Sequence, residues 1–571
     1  MMGGQLLVLA AVLLLALPFF LLYGPRGGAW RPFDLAPAVA LCLSFFAVAG
    51  WCCAWAGRLD AVMLLWGAVG LAAVWRARRE FRTPWRVCAD YTGIAVLLCG
   101  AAAMLCIVLG YDVPAGWDPA CHALLAEKIA RTGSLSRDWL PFEALPMHYP
   151  QAFHCPTALL SRLSGVPVHE VMQALHAAAQ IPALILVWRI AGRIFGRNAA
   201  AAAALLYAFG THTGNFYYYY RLGMFPTELA GLFFLLLIHE SLTSRKRRVG
   251  ILAGCGIVWV HFLTLAIAAW VIACFAAASF RKRGHAMLKF MALSLGAALC
   301  VSAPYWLYML LGQIDSGSSE SIRFSEEAAF DWYRVPDEIG PVVLILSVAG
   351  FAMLFRRCRR EPVRFAVVWP AALLGIFLVM EYGFRYLVAR PFFGEDFTIF
   401  IPSRFLAVSG YGLSILGGCA FARMFRKLPN LGRIAAVLLM IGSVHDYLYL
   451  ARLRAVPPDL RSLAAALREK TPANAYCVLP AGTCDYQWLA YFAWRPTPGL
   501  PLPSSENRAA VIPKVTMLTD PDRHREEIGR WIAQEKIPVL LLIPRLGHWA
   551  AAIGGADGRF RLIPKPLAVR K

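Results

Sequence analysis

The sequence predicts an all-α polytopic membrane protein with a small soluble α/β domain at its C-terminal end. Three observations predict it. Hydrophobic residues make up 59% of the chain and charged residues 16%, with a mean hydropathy of +0.57, whereas an ordinary soluble domain is about 45–50% apolar and about 25% charged. Apolar runs of membrane-spanning length recur along the chain. The basic residues gather in the short stretches between those runs.

The runs fall at 6–23, 36–56, 61–75 and 91–109 and continue to 433–451. Each approaches the roughly 20 residues that a helix needs to cross a bilayer, and by that length the chain holds about 13 to 14 transmembrane helices. No basic region precedes the first run and no small-residue cleavage site follows it, so it reads as a retained helix and not as a signal peptide. Residues 1–455 then form a transmembrane domain and residues 456–571 a soluble one.

A formal net charge of +22 invites a nucleic-acid reading, and the positions of the basic residues argue against it. They sit at 76–86, 245–248, 281–283, 356–360 and 423–427. Such short, basic inter-helix loops belong in the cytoplasm by the positive-inside rule. If all are cytoplasmic, spans must come in pairs between them, and they do. Loops 111–168, 212–224, 312–340 and 384–403, together with everything after 452, then face outward, as does the uncharged N-terminus. Segment 250–280 strains the count, because its 31 residues are too few for two full spans of roughly 20. A short hairpin turning near Trp259, Val260 and His261 resolves this, with two helices of about 14 residues rising about 21 Å each; the alternative is one long span with one basic cluster misassigned.

The tail changes character, with prolines, charges and short apolar runs. Residues 461–470 and 522–536 have helical patterning, and 476–479 and 539–543 read as short buried strands. It carries no Gly-rich phosphate loop, nucleophile elbow or metal-ligand pattern. Of the 15 cysteines, most lie in apolar spans as small hydrophobes. Cys121 and Cys155 fall in the first outer loop, and Cys477 and Cys484 in the outer tail, so each pair is a disulfide candidate on the oxidising side of a membrane.

The first outer loop is the most informative stretch. It contains Asp112, then Asp118 followed by Pro119, then an amphipathic helix over 119–132 that ends in Thr132-Gly133, and later His148, Tyr149-Pro150 and His154. The helix has Leu125 and Ile129 on one face and Glu127, Lys128 and Arg131 on another, which suits it to lying along the membrane surface. Asp followed by Pro is the expected N-cap and first-turn pair, so capping alone accounts for Asp118. A second account is chemical: Asp118, with Asp112 nearby and His122 one turn later, can take a proton from an acceptor hydroxyl or hold a divalent cation. His122, His148 and His154 are either satisfied structural histidines or part of a substrate site. Glu228, Glu381 and Asp446 lie in or beside spans, where ionisable groups either line a cavity or snorkel to the interface. Arg221 follows the aromatic run 217–220, an interfacial belt or a sugar platform.

A long outer loop with an Asp, a His-containing amphipathic helix ending in Thr-Gly, and a Tyr-Pro and His before the next span resembles the GT-C superfamily of membrane glycosyltransferases. The likeness extends to the short outward hairpin with His261, the segment Ile401-Pro402-Ser403-Arg404-Phe405-Leu406, and the soluble tail. The resemblance implies a catalytic Asp in the first outer loop, here Asp118, and a polyprenyl-phosphate sugar as donor, with Arg404 a candidate for the lipid phosphate. Guanidinium geometry suits that role, and a plain helix-end anchor is its alternative. The Trp-Trp-Asp signature that oligosaccharyltransferases of this superfamily carry is absent from the tail, which disfavours protein N-glycosylation.

The expected function is therefore transfer of a sugar, with inversion, from a polyprenyl-phosphate carrier to a glycan, lipid or protein acceptor. It takes place at the outer face of a prokaryotic cytoplasmic (inner) membrane. Asp118 and Asp112 are the catalytic and metal candidates, and His122, His148, His154, Arg221, His261 and Arg404 the substrate-binding ones. No covalently bound cofactor and no nucleic acid is expected. A transporter or flippase for a lipid-linked or anionic solute is the rival from another class, although internal repeats and matched broken spans, common in transporters, are not evident. A ligase or polymerase of surface polysaccharide is a third reading.

Overall fold

The structure is a computed structural model of the 571-residue chain. It describes residues 2–24, 31–78, 90–111, 113–114, 118–142, 147, 149–212, 215–282, 285–307, 309, 335–355, 358–393, 403–452, 461, 464–465, 467–469, 476–478, 487–495, 523–534, 540–545, 548–554 and 560–566. Its body is a helical bundle. In chain order the helices are α1 (Met2–Tyr23), α2 (Leu35–Trp55), α3 (Val62–Ala77), α4 (Tyr91–Leu109), α5 (Pro119–Thr132), α6 (His154–Ser164), α7 (Val168–Phe195), α8 (Arg197–Phe209) and α9 (Phe216–Leu222). There follow α10 (Phe225–Leu242), α11 (Arg247–Val260), α12 (Phe262–Ser279), α13 (Ala286–Val301), α14 (Val335–Ile339), α15 (Pro341–Phe355), α16 (Glu361–Leu378), α17 (Ser403–Met424) and α18 (Pro429–Arg452).

Nine helices among the described residues are long and apolar enough to cross a membrane. This is a multi-pass membrane protein. Helices α8, α11, α13 and α15 are shorter, at 13, 14, 16 and 15 residues, and pack beside the long ones. Close approach between helices rests on small residues, as in other membrane bundles. A Cβ on Gly418 of α17 would lie 2.6 Å from the Ala203 backbone nitrogen of α8, and one on Gly350 of α15 would lie 2.4 Å from the Leu416 carbonyl oxygen.

Helices α11 and α12 meet at His261, which is extended (φ −156°, ψ 107°) and serves both as C-cap of α11 and N-cap of α12. One continuous span over 250–280 is therefore not what forms.

Contacts between loops test the alternation derived from charge, because each should join helix ends on the same side. At one end of the bundle, Leu59 N–H donates to the Gly133 carbonyl (2.9 Å), Leu135 N–H to Ala54 (3.1 Å) and Gln5 Nε2 to Tyr111 (3.3 Å). At the other, Tyr23 OH donates to Glu240, Arg189 pairs with Asp34 (2.6 Å), and Glu361 accepts from the Met287 and Leu288 N–H groups (3.0 Å each). All six ties join ends that the alternation puts together.

In the tail, β1 (Tyr476–Val478) pairs in parallel with β2 (Leu540–Arg545), and β3 (His548–Gly554) and β4 (Phe560–Pro566) extend the sheet antiparallel in the order β1-β2-β3-β4. Two helices accompany it, α19 (Gln487–Ala493) and α20 (Arg525–Gln534).

Candidate active site

Helix α5 starts at Pro119, whose missing N–H costs nothing at the first helical position. It stops at Gly133, whose left-handed φ of 70° lets its N–H reach the Ile129 carbonyl as a C-terminal glycine does. Pro119 to Ala126 and Ile129 are all buried, against α6, α7 and α19. The helix is thus clamped within protein, and its apolar face does not lie along a lipid surface. Its polar side is also engaged, with Arg131 on Glu127 (2.8 Å) and Lys128 on Asp138 (3.3 Å).

Asp118 occupies the N-cap position but does not cap. Its backbone is helical (φ −90°, ψ −17°), its side chain makes no capping bond, and its half-buried carboxylate accepts no hydrogen bond from any described residue.

One turn into α5, His122 Nδ1 lies 3.0 Å from Nε2 of His154, the first residue of α6. Both rings are buried and share an aromatic box with Tyr149 and Phe153. Burial, reinforced by the neighbouring His122, pushes the His154 pKa well below its ordinary value, so the His154 ring is held neutral. His148 and Asp112 lie outside the described residues. Cys121 and Cys155 are not joined in a disulfide. Cys121 is close enough to Asp118 to feel its charge, while Cys155 stands against α2, near Gly50, Cys52 and Cys53. Cys484 and the side chain of Cys477 lie outside the described residues.

The head of α5 abuts a second corner. Gly223, at φ 71° between α9 and α10, approaches so closely that a Cβ there would lie 2.4 Å from Pro119 Cδ and Cγ. This brings the aromatic helix α9 beside Asp118, with Tyr220 5.8 Å from Tyr111 between ring centroids. Burial raises the Tyr111 pKa to about 12. The side chains of Arg221 and Arg404 fall outside those described. His261 has a structural post: Nδ1 accepts from the Thr264 N–H (3.3 Å) and meets its hydroxyl (2.8 Å), and Nε2 meets Thr227 Oγ1 (3.2 Å).

Of the ionisable residues at span ends, Glu381 pairs with Arg385 (3.3 Å), Asp446 with His212 (3.4 Å), and Glu228 with His176 (2.6 Å). His176 was not legible as a site residue. Nor was the tail helix α19, which packs on α5 and α7. His169 Nδ1 and Tyr491 OH are 3.2 Å apart, and Trp494, at the end of α19, stacks on the Arg131 guanidinium (3.8 Å) and meets Phe142 edge-on (5.0 Å).

Among the described residues no three His, Cys, Asp or Glu side chains converge as metal ligands.

No protein-family model matches the chain, and no curated protein sequence does. Solved structures are similar in fold. ArnT from Cupriavidus metallidurans, bound to undecaprenyl phosphate, is 14% identical with a TM-score of 0.51, over 79% of this chain and 96% of that one. The oligosaccharyltransferase AglB from Archaeoglobus fulgidus, in complex with an inhibitory peptide and a dolichol-phosphate, is 13% identical with a TM-score of 0.52, over 84% and 75%. Arabinofuranosyltransferase AftD from Mycobacteria is 18% identical with a TM-score of 0.50, over 78% of this chain and 35% of that one. The chain spans 65% of the length of the A. fulgidus oligosaccharyltransferase in its apo form.

Proposed function

We propose, from the premise that this chain has the GT-C fold, that it is a membrane glycosyltransferase. On this reading it moves a sugar from a polyprenyl-phosphate carrier to an acceptor hydroxyl at the outer face of a prokaryotic cytoplasmic membrane. The observation that carries the reading is the Asp118 carboxylate, at the head of a clamped helix and uncommitted to capping. The similar folds of ArnT, bound to undecaprenyl phosphate, and AglB, with a dolichol-phosphate, support the choice of donor.

Asp118 takes the proton of the acceptor hydroxyl as its oxygen attacks the anomeric carbon, and the carrier phosphate departs from the opposite face. The product is an inverted glycosidic bond and a free polyprenyl phosphate. A phosphate is a good leaving group, so it needs charge stabilisation more than acid assistance. A guanidinium supplies two parallel donors for it, and Arg404 is the residue proposed for this, with Arg221 or His261 as a further contributor. His122 and His154, hydrogen-bonded to each other, hold the α5–α6 wall of the site. A divalent cation, if the enzyme uses one, draws on Asp118 and Asp112. Residues 456–571 form the soluble α/β domain on the same outer side, where a Cys477–Cys484 disulfide is expected.

The test uses purified protein in liposomes with undecaprenyl-phosphate-linked radiolabelled sugars. Release of undecaprenyl phosphate in step with label on an acceptor is the expected result. Movement of solute across the bilayer without transfer would replace this reading with a transporter.

A further inference from the structure

Helix α7 reads as a membrane span, yet Gln173, His176 and Gln180 recur on it at three- and four-residue spacing and so share one face. All three are buried. His176 Nδ1 lies 2.6 Å from a carboxylate oxygen of Glu228, and the imidazole ring is enclosed by Phe216 (4.5 Å), Tyr220 and Phe225 (5.3 Å each). The Gln180 side chain also reaches the Glu228 carboxylate, while His176 Nε2 is buried with no hydrogen-bond partner among the described residues. Unmade bonds of this kind cost stability. Well-packed apolar residues of similar volume often stabilise a core relative to a buried pair. A polar pair kept here at a cost points to a role beyond packing, as intramembrane ionisable groups generally do.

The position of Glu228 indicates the role. It lies in the first turn of α10, just after the Gly223 corner that rests on Pro119, and Pro119 directly follows Asp118. The hydrogen bond to His176 fastens that turn to α7. We propose that His176 and Glu228 are a positioning pair that fixes the Gly223 corner and, through it, the head of α5 and the Asp118 carboxylate. This inference rests on the assignment of Asp118 as the catalytic carboxylate.

The double variant His176→Leu/Glu228→Leu separates positioning from packing. A pair that only packs predicts an unchanged or higher Tm with full transfer. The positioning role predicts the same Tm with kcat lowered about 10- to 100-fold, since misplacement by about 1 Å costs that much, and with little change in KM for the undecaprenyl-phosphate-linked donor. Glu228→Gln, which keeps a hydrogen-bonding group in reach of His176, should retain most of the rate. Full transfer by the double variant would overturn the proposal. Should it fail to fold, Gly223→Ala tests the corner directly, and normal transfer there is equally fatal. Hydrogen exchange in the first turn of α5 gives a readout independent of activity: faster exchange in the variant supports the tie, and unchanged exchange refutes it. Asp118→Asn in the same transfer assay keeps the two claims apart. Retained transfer by that protein removes the catalytic assignment, while the exchange result still stands or falls by itself.

Discussion

His154 is fully buried against His122, and burial lowers its pKa from the ordinary 6.5. The unfolded chain therefore binds the proton first as the solution is acidified. The stability that this pair contributes is complete above pH 6.5 and declines as the pH falls below it. Melting temperature should accordingly drop between about pH 7 and about pH 5, and His154→Phe should flatten that slope; an equal slope in the variant would show that other groups set it. Sequence reasoning found both histidines, along with Asp118, because they stand out in a polar loop. It could not pair them, since the contact joins α5 to α6 across 32 positions. The same gap misled the disulfide proposal for Cys121 and Cys155, which share a loop yet face different neighbours. His176 stayed hidden for another reason: α7 was read for its hydropathy, and the polar three- and four-residue spacing along it was the signal that could have found it.

Helix boundaries were the more legible level. Pro119 and Gly133 bracket α5 where the sequence puts them, and the apolar segment 250–280 breaks at His261, whose extended backbone separates two helices. What the sequence hid is the partner of α5. Helix α19 is only seven residues long, and nothing local links Tyr491 to His169 or Trp494 to Arg131. The lipid-surface expectation for α5 failed because an amphipathic pattern does not say whether lipid or protein covers the apolar face. Trp494 holds its stack although its φ of 52° lies in the left-handed region, a conformation that costs a bulky residue. Trp494→Ala should cost about 2 kcal/mol, from lost ring burial and the cation–π contact. It should also speed hydrogen exchange along α5 more than along α10. Equal effects on the two helices would argue against a local clamp.

For the whole molecule, charge placement supplied the order of crossings, and contacts between helix ends agree with it on both faces of the bundle. Which face is cytoplasmic follows only from the positive-inside rule. Single cysteines introduced at exposed positions of a variant stripped of native cysteines test this in intact cells. A cysteine near Asp60 should react with a membrane-impermeant maleimide, and one near Arg247 should not; the reverse pattern would invert the topology and remove Asp118 from the outer face.

The central claim is that Asp118 carries the chemistry of glycosyl transfer, and Asp118→Asn tests it most directly. Asn caps a helix about as well as Asp, and Asp118 makes no capping bond in any case, so the fold should survive the substitution. Loss of a general base predicts a fall of roughly 10² to 10⁴ in rate, with Tm unchanged and Asp112→Asn as the comparison. The measurement is the rate of sugar transfer from undecaprenyl-phosphate-linked donor, normalised to folded protein. A large loss in Asp118→Asn is the predicted result, and near-normal transfer by that protein would contradict the account.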